Sequence, residues 1–427
     1  MDGITPALSV TFPRCTYNAF TRLYDAIVQL SGDESIAVDE LDMDVALSDG
    51  TPLDNAWAIY LSGRGSTVQF RISAIVPEPY RLEDLSVSVI LPDGTAWRLD
   101  HTASLEHETA GIIAVEVSDP DVQIDYWSCR ADCRLQFGKK DAASAPVMVA
   151  DPETSPSVFR AAASWPANRE TITAIPAEGL GQKYTLFSSI APQAHPSTAR
   201  LQALKDTLAG QTAWIIGNGP SVRLEDLDRL GDAVTFCFNR FHLAYENTTL
   251  RPRFTISADQ QMIEDFGDEI LDRSSGTVFF AHSSPPSLTG DYLWLRQVPG
   301  FPSLFSKNAP YRVAPGGASA YVALQVAYYM GIRKFYFYGT DFKFTFDKNG
   351  DSKDRFRAAT GDGNHFIKNY RSGKAWCPPS IQNILPSFYA ARLLMEAEGG
   401  FIKNATRGGV LEVFERIDFD EALAAPA

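Results

Sequence analysis

The sequence predicts an α/β chain, with a mostly parallel sheet in its C-terminal half and a β-rich domain before it. Three observations carry this. From residue 211 onward, short and wholly apolar strands alternate with helical segments, the pattern of a parallel sheet covered on both faces. Before residue 140 the apolar runs are short, rich in β-branched and aromatic residues, and separated by Asp-Gly turns and Pro-rich breaks, as in an antiparallel sandwich. Between the two, the composition shifts to Pro, Ala and Ser. The expected boundaries are 1–140 for the β-rich domain, 141–205 for a connector with short helices, and 206–427 for the α/β domain.

Taken in order, TYNAFTRLYDAIVQL has helical spacing, and AWAIYLSG, STVQFRISAIV, LSVSVILPDGTAWRLD, GIIAVEVSD and VQIDYWS read as strands. ARLQALKDTLAG forms a short amphipathic helix leading into the strand AWIIG. LEDLDRL is a helix; AVTFCFN, RFTISA and GTVFFAH are strands; SAYVALQVAYYMG is a helix and KFYFYGTD a strand. The long helix IQNILPSFYAARLLMEAEG precedes the short strand FIKNAT.

Composition narrows the function classes. A length of 427 residues suits two or three domains, and 45% hydrophobic with 21% charged residues describes an ordinary globular chain. The net charge of −14 argues against nucleic acid, whose phosphate backbone rewards a basic face. No run of 18 apolar residues predicts a membrane span, and MDGITPALSVTFPRC does not read as a signal peptide, so the expected compartment is the cytoplasm. Cys129 and Cys133 form a CxxxC without a second pair nearby, and the six histidines are dispersed, so neither a metal centre nor a disulfide is expected.

In open α/β sheets, ligands bind beyond the carboxyl ends of the strands. The residues following the apolar strands are Gly217-Asn218-Gly219-Pro220-Ser221, Asn239, Asp259 and His282, then Thr340-Asp341 and Asn404-Ala405-Thr406. Pro315-Gly316-Gly317-Ala318-Ser319 stands before the Ala-rich helix. Two glycine-containing turns and a rim of small or amide side chains suit a ligand that approaches backbone N–H groups. In GNGPS, the glycines would remove Cβ obstruction, Pro220 would preset a helical turn, and Asn218 would aim its amide at the ligand. The spacing is neither GxGxxG nor a Walker loop.

This ordered series resembles the bacterial family-42 sialyltransferases: GNGPS after the first strand, Phe-Asn-Arg-Phe after the second, a Gly/Ser turn before an Ala-rich helix, and Tyr-Gly-Thr-Asp-Phe. It also resembles the wider DUF115 group, which includes the Maf motility factors; NHFIKNYRSGKAW and IKNATRGGVLEVFERIDFDEAL are similar to that group in particular. The resemblance covers roughly residues 210–420. It implies a Rossmann-like, GT-A-like glycosyltransferase that uses a CMP-activated acidic sugar without a metal or other cofactor. It further implies that Asn218 and Ser221 face phosphate and ribose, Asn239 the donor, and Ser319, with Gly316 and Gly317, and Asp341 the cytidine and its ribose; Gly217, Gly219 and Asp259 are counted with the donor-binding residues.

The family's base is a histidine after the Asp-Phe strand end. His365 lies in that region, although a simple register match falls near Asn369. Lys343 stands where the family has a tyrosine for the leaving phosphate, and Lys368 or Arg371 would assist it; His282 is the reserve base. DKNGDSKDRFRAATGDGNHF has the polar, Gly-bearing character of a closing lid. The implied partners are a nucleotide-sugar donor and a glycan, lipopolysaccharide or protein acceptor, and such a chain is compatible with peripheral membrane contact and homo-oligomerisation. Two other readings stand beside this one. A DUF115-type pyrophosphokinase would need Mg²⁺, with Asp259 and Asp341 as ligands. A non-catalytic carbohydrate-binding or assembly protein would rely on the β-rich half.

Overall fold

A computed structural model of the chain describes residues 8–425 apart from 33–40, 52, 54, 65, 119–120, 131, 138–139, 142–146, 151–155, 165–170, 176–182, 186–194, 345–356, 359–362, 372–373 and 377–378. Two compact units emerge. One comprises Met1–Glu108 with Phe346–Ala358 and Cys377–Gln382; the other comprises Thr109–Thr345, Ala359–Trp376 and Asn383–Ala427.

In the first unit, a five-stranded sheet (Ser9–Asn18, Leu23–Ser31, Ala56–Arg64, Thr67–Ile75, Glu106–His107) shares one core with a three-stranded sheet (Asp42–Leu47, Leu85–Ile90, Ala96–Arg98). Alternation supplies that core: Val68, Phe70, Ile72 and Ala74 from one sheet meet Leu85, Val87 and Val89 from the other. Residues 16–30, expected to be helical, instead form an antiparallel hairpin in which Tyr17 pairs with Tyr24. The cause is local. Asn18 Oδ1 accepts from the backbone N–H of Phe20 and Thr21 at 3.0 and 3.1 Å, and Arg22 takes φ 55°, so the chain reverses. Two alternating runs separated by that turn mimic helical spacing.

The second unit opens with two four-stranded antiparallel sheets. Ala110–Ser118, Asp121–Ser128, Val147–Ala150 and Ser157–Ser164 make one; Arg134–Phe137, Lys140–Asp141, Thr171–Ile175 and Lys183–Thr185 make the other. The unit boundary therefore falls at Glu108/Thr109 instead of near 140, and the described part of 141–205 carries strands as well as a helix. The Ala- and Ser-rich SVFRAAAS, read as connector, pairs residue for residue with DVQIDYWS.

The α/β part is a single eight-stranded sheet: β1 (Thr212–Ile216), β2 (Val234–Phe238), β3 (Phe254–Ser257), β4 (Thr277–His282), β5 (Leu293–Arg296), β6 (Lys334–Tyr338), β7 (Phe401–Asn404) and β8 (Glu415–Arg416). Every pairing is parallel, in the order β5-β4-β3-β2-β1-β6-β7-β8. The strands are buried continuously, not alternately, as helices on both faces require. The helices are α1 (Pro196–Gln202), α2 (Leu224–Asp228), α3 (Gln260–Arg273), α4 (Ser319–Tyr329), α5 (Ile381–Ala397) and α6 (Phe419–Ala424). Strand order reverses between β1 and β6, so their carboxyl ends part there and open a crevice. Among the described residues no helix is long and apolar enough to cross a membrane.

Candidate functional site

A cavity of about 260 Å³ lies at that reversal. Its wall takes residues from the carboxyl ends of β1, β2, β3 and β6, from the start of α4, and from the segment 363–371. Of the residues singled out by sequence, Gly217, Asn218, Gly219, Asn239, Asp259, Ser319, Asp341, Lys343, His365 and Arg371 all line it.

The loops after β1 and β6 are fastened to each other. Gly217 N–H donates to Tyr338 O at 2.7 Å, and Gly219 N–H donates to Gly339 O at 2.8 Å. A Cβ on Gly217 would stand 2.3 Å from Gly339 O, and one on Gly219 would stand 1.9 Å from Asp341 Oδ2. The two glycines thus serve the contact between loops; the obstruction they remove is to the Gly339 backbone and the Asp341 carboxylate of the other loop. Ser221 completes the fastening, with Oγ and N–H donating to Asp341 Oδ2 at 2.8 and 3.3 Å. Ser221 is therefore spent on Asp341 and does not reach the cavity wall. Pro220 sits in the turn, and α2 begins only at Leu224, with Arg223 before it, so Pro220 starts no helix.

Asn218 does not aim its NH₂ at open space. Nδ2 donates to Phe238 O at 3.1 Å and to Tyr370 Oη at 3.0 Å, whereas Oδ1 is buried without a partner. Asn239, after β2, adopts the left-handed conformation with φ 53°, tolerable for Asn, and its Oδ1 accepts from Ser257 Oγ at 2.8 Å. Asp259 caps α3, accepting from Met262 N–H at 3.2 Å.

The N-terminus of α4 has no side-chain cap, and Ala318, Ser319 and Ala320 line the cavity there. Its first N–H groups and positive dipole end make this wall favourable to an anion. Ser319 Oγ accepts from Ala258 N–H at 3.2 Å and ties α4 to the end of β3. Gly316 and Gly317 do not reach the wall. Both have positive φ, and a Cβ on Gly316 would strike the Tyr321 ring at 2.1 Å, so they shape the turn that delivers Ser319.

Segment 363–371 closes the site from above the strand ends. Its backbone is gripped by Arg240, just after β2: Nη1 donates to Asn369 O and Tyr370 O at 3.0 and 2.6 Å. Arg240 is in turn held by Glu269 of α3 at 2.8 Å, and His242 Nε2 lies 2.8 Å from the same carboxylate. At the other end, Phe366 N–H donates to Asn218 O at 3.1 Å. His365 stacks on Tyr370, ring centroids 3.9 Å apart and planes 17° from parallel. Burial, outweighing the lowering influence of Asn239, pushes the Tyr370 phenol up to about 12. Sequence reasoning missed Arg240 and Tyr370. Phe-Asn-Arg-Phe was visible as a motif, but its Arg could not be joined to residue 370 without the fold.

Lys343 is exposed at the rim, while Arg371 is buried with Asp265 at 3.4 Å. Lys368 is exposed and His282 pairs with Ser284; neither lines the cavity. Most of the predicted lid, 347–366, lies outside the described residues. Among the described residues no three His, Cys, Asp or Glu side chains converge as metal ligands, and Cys15, Cys129, Cys133 and Cys237 are free thiols.

No family model matches the chain, and no curated protein matches it. Among solved structures, bovine butyrophilin matches at 8% identity over 43% of this chain and 99% of that one, with a TM-score of 0.17. Dpr2 Ig1-Ig2 in complex with DIP-Theta Ig1-Ig3 matches at 10% identity over 41% of this chain and 95% of that one, with a TM-score of 0.21. Similarity this slight carries no argument about fold or function.

Proposed function

We propose that the chain is a Rossmann-like, GT-A-like glycosyltransferase that moves a CMP-activated acidic sugar onto a bacterial surface glycan, lipopolysaccharide or protein without a metal. The observation that carries this reading is the cavity at the β1/β6 strand reversal, where an uncapped helix N-terminus meets Asn218, Asn239, Asp259, Thr340 and Asp341 from four strand ends. The phosphate lies against the α4 N-terminus, where N–H groups and Lys343 stabilise the departing nucleotide. His365 takes the proton of the acceptor hydroxyl, its ring held on Tyr370. The test is release of CMP from a CMP-activated nonulosonic acid in the presence of EDTA, followed with and without candidate acceptors. Acceptor-stimulated, chelator-insensitive release supports the reading; no release from any CMP-sugar with any acceptor rejects it.

A further inference from the structure

Segment 363–371 carries His365 and Tyr370 to the cavity, yet it runs as turns and bends with no helix or strand to fix its path. Its position depends on anchors supplied from elsewhere. One of these is charged. Asn239, at φ 53°, turns the chain as it leaves β2, and the next residue, Arg240, is only 6% exposed. The Arg240 guanidinium lies over the Phe266 ring, 4.1 Å from its centroid. On one side Nε and Nη2 donate to Glu269 Oε1 at 3.1 and 2.8 Å; on the other, Nη1 donates to Asn369 O and Tyr370 O at 3.0 and 2.6 Å. Every nitrogen of the planar fork is used, and a lysine ammonium cannot span the α3 carboxylate and both backbone carbonyls. Beyond the backbone contact, Tyr370 Oη is hydrogen-bonded to the Asn218 and Asn239 side chains, and its ring stacks on His365 at 3.9 Å. A continuous line of contact therefore runs from Glu269 through Arg240 and Tyr370 to the His365 imidazole.

We propose that Arg240, held by Glu269, is a positioning residue for the transfer step. It sets segment 363–371 over the strand ends and so places His365 against the acceptor hydroxyl, in the transferase reading on which this rests. Neither Arg240 nor Glu269 lines the cavity, so both act through the segment alone. The α4 N-terminus forms a different part of the wall, so loosening the clamp displaces the base and leaves the phosphate seat in place. A misplacement of about 1 Å in a reacting group is enough to lower a rate by about 10²-fold.

Arg240→Lys keeps the charge and removes the fork. Steady-state transfer, calorimetric titration with CMP and amide hydrogen exchange, all on the full chain, test the proposal together. In Arg240→Lys, kcat is expected to fall by about 10–100-fold while CMP affinity stays unchanged. Exchange is expected to quicken at the Phe366 N–H, which donates to Asn218 O, and to stay as in wild type along β1. A wild-type kcat, unchanged exchange at Phe366, or equal losses of kcat and CMP affinity would each overturn the proposal, the last because the whole cavity would have given way. Should Arg240→Lys fail to fold, Glu269→Gln, at a side chain 29% exposed on α3, carries the same expectations and the same contradictions. If wild type transfers no CMP-sugar, the transferase reading falls by itself. Exchange at Phe366 then judges the clamp: faster exchange in the variant supports it, and equal exchange in both proteins overturns it.

Discussion

Ser221 and Asp341 are 120 residues apart in sequence, yet Ser221 Oγ donates to Asp341 Oδ2 at 2.8 Å, joining the loop after β1 to the loop after β6. This bond spans the strand reversal that forms the cavity. Asp341→Ala leaves Ser221 Oγ and the Ser221 N–H without their acceptor. It is expected to lower stability by about 2 kcal/mol, read by urea denaturation, and to weaken nucleotide binding as the two loops part.

Gly217→Ala tests the same junction from the steric side. The added methyl carbon meets the Gly339 carbonyl oxygen at 2.3 Å, and that atom is backbone, so relief requires a strand end to shift. A loss of about 1–3 kcal/mol is expected, with the cavity distorted in any crystal structure of the variant. Stability equal to wild type would mean that the two loops are not in close contact.

His365→Ala is expected to fold normally, since His365 is only half-buried, and to lower sugar transfer by about 10²–10⁴-fold. The check is initial rates of transfer beside circular dichroism of both proteins. Full activity in a folded variant removes His365 from the base role and turns attention to Asn369 and its neighbours.

The cluster behind Tyr370 predicts a pH dependence. Burial holds the His242 imidazole below its ordinary value; Glu269 opposes this, and Arg240 and Arg273 add to it. The folded state therefore prefers neutral His242, and stability falls as pH drops through and below the unfolded value of about 6.5. His101 in the first unit is also lowered by burial and titrates in the same sense, so the informative quantity is a difference. Between pH 7.5 and 5.5, His242→Gln should lose less stability than wild type in chemical denaturation. An identical slope would show that His242 does not titrate differently on folding.

Much of the parallel sheet is legible in the sequence because strands buried on both faces must be apolar throughout: WII, VTFCF, FTIS, VFFA and KFYFY announce themselves. Leu293–Arg296 is four residues long between polar turns, and α3 presents QQMIEDFGDEILDR, whose acids mask the buried Met262, Ile263, Phe266 and Ile270. At the site, the residues that follow the strands were readable because topology alone brings strand ends together. What was hidden is how they are used. The glycines of GNGPS face Gly339 and Asp341, Gly316 and Gly317 shape a turn, and Arg240 and Tyr370 meet only once α3 and segment 363–371 are in place.

The proposed activity depends on the cavity at the β1/β6 reversal being a sugar-nucleotide site. A thermal-shift panel of CMP, CDP, UDP, GDP and ATP, each with and without EDTA, tests that claim most directly. The expected result is stabilisation by CMP that is unchanged by the chelator and lost in Asp341→Ala. Stabilisation by ATP alone, dependent on Mg²⁺, would contradict it and favour pyrophosphoryl transfer; no shift with any nucleotide would remove the site altogether.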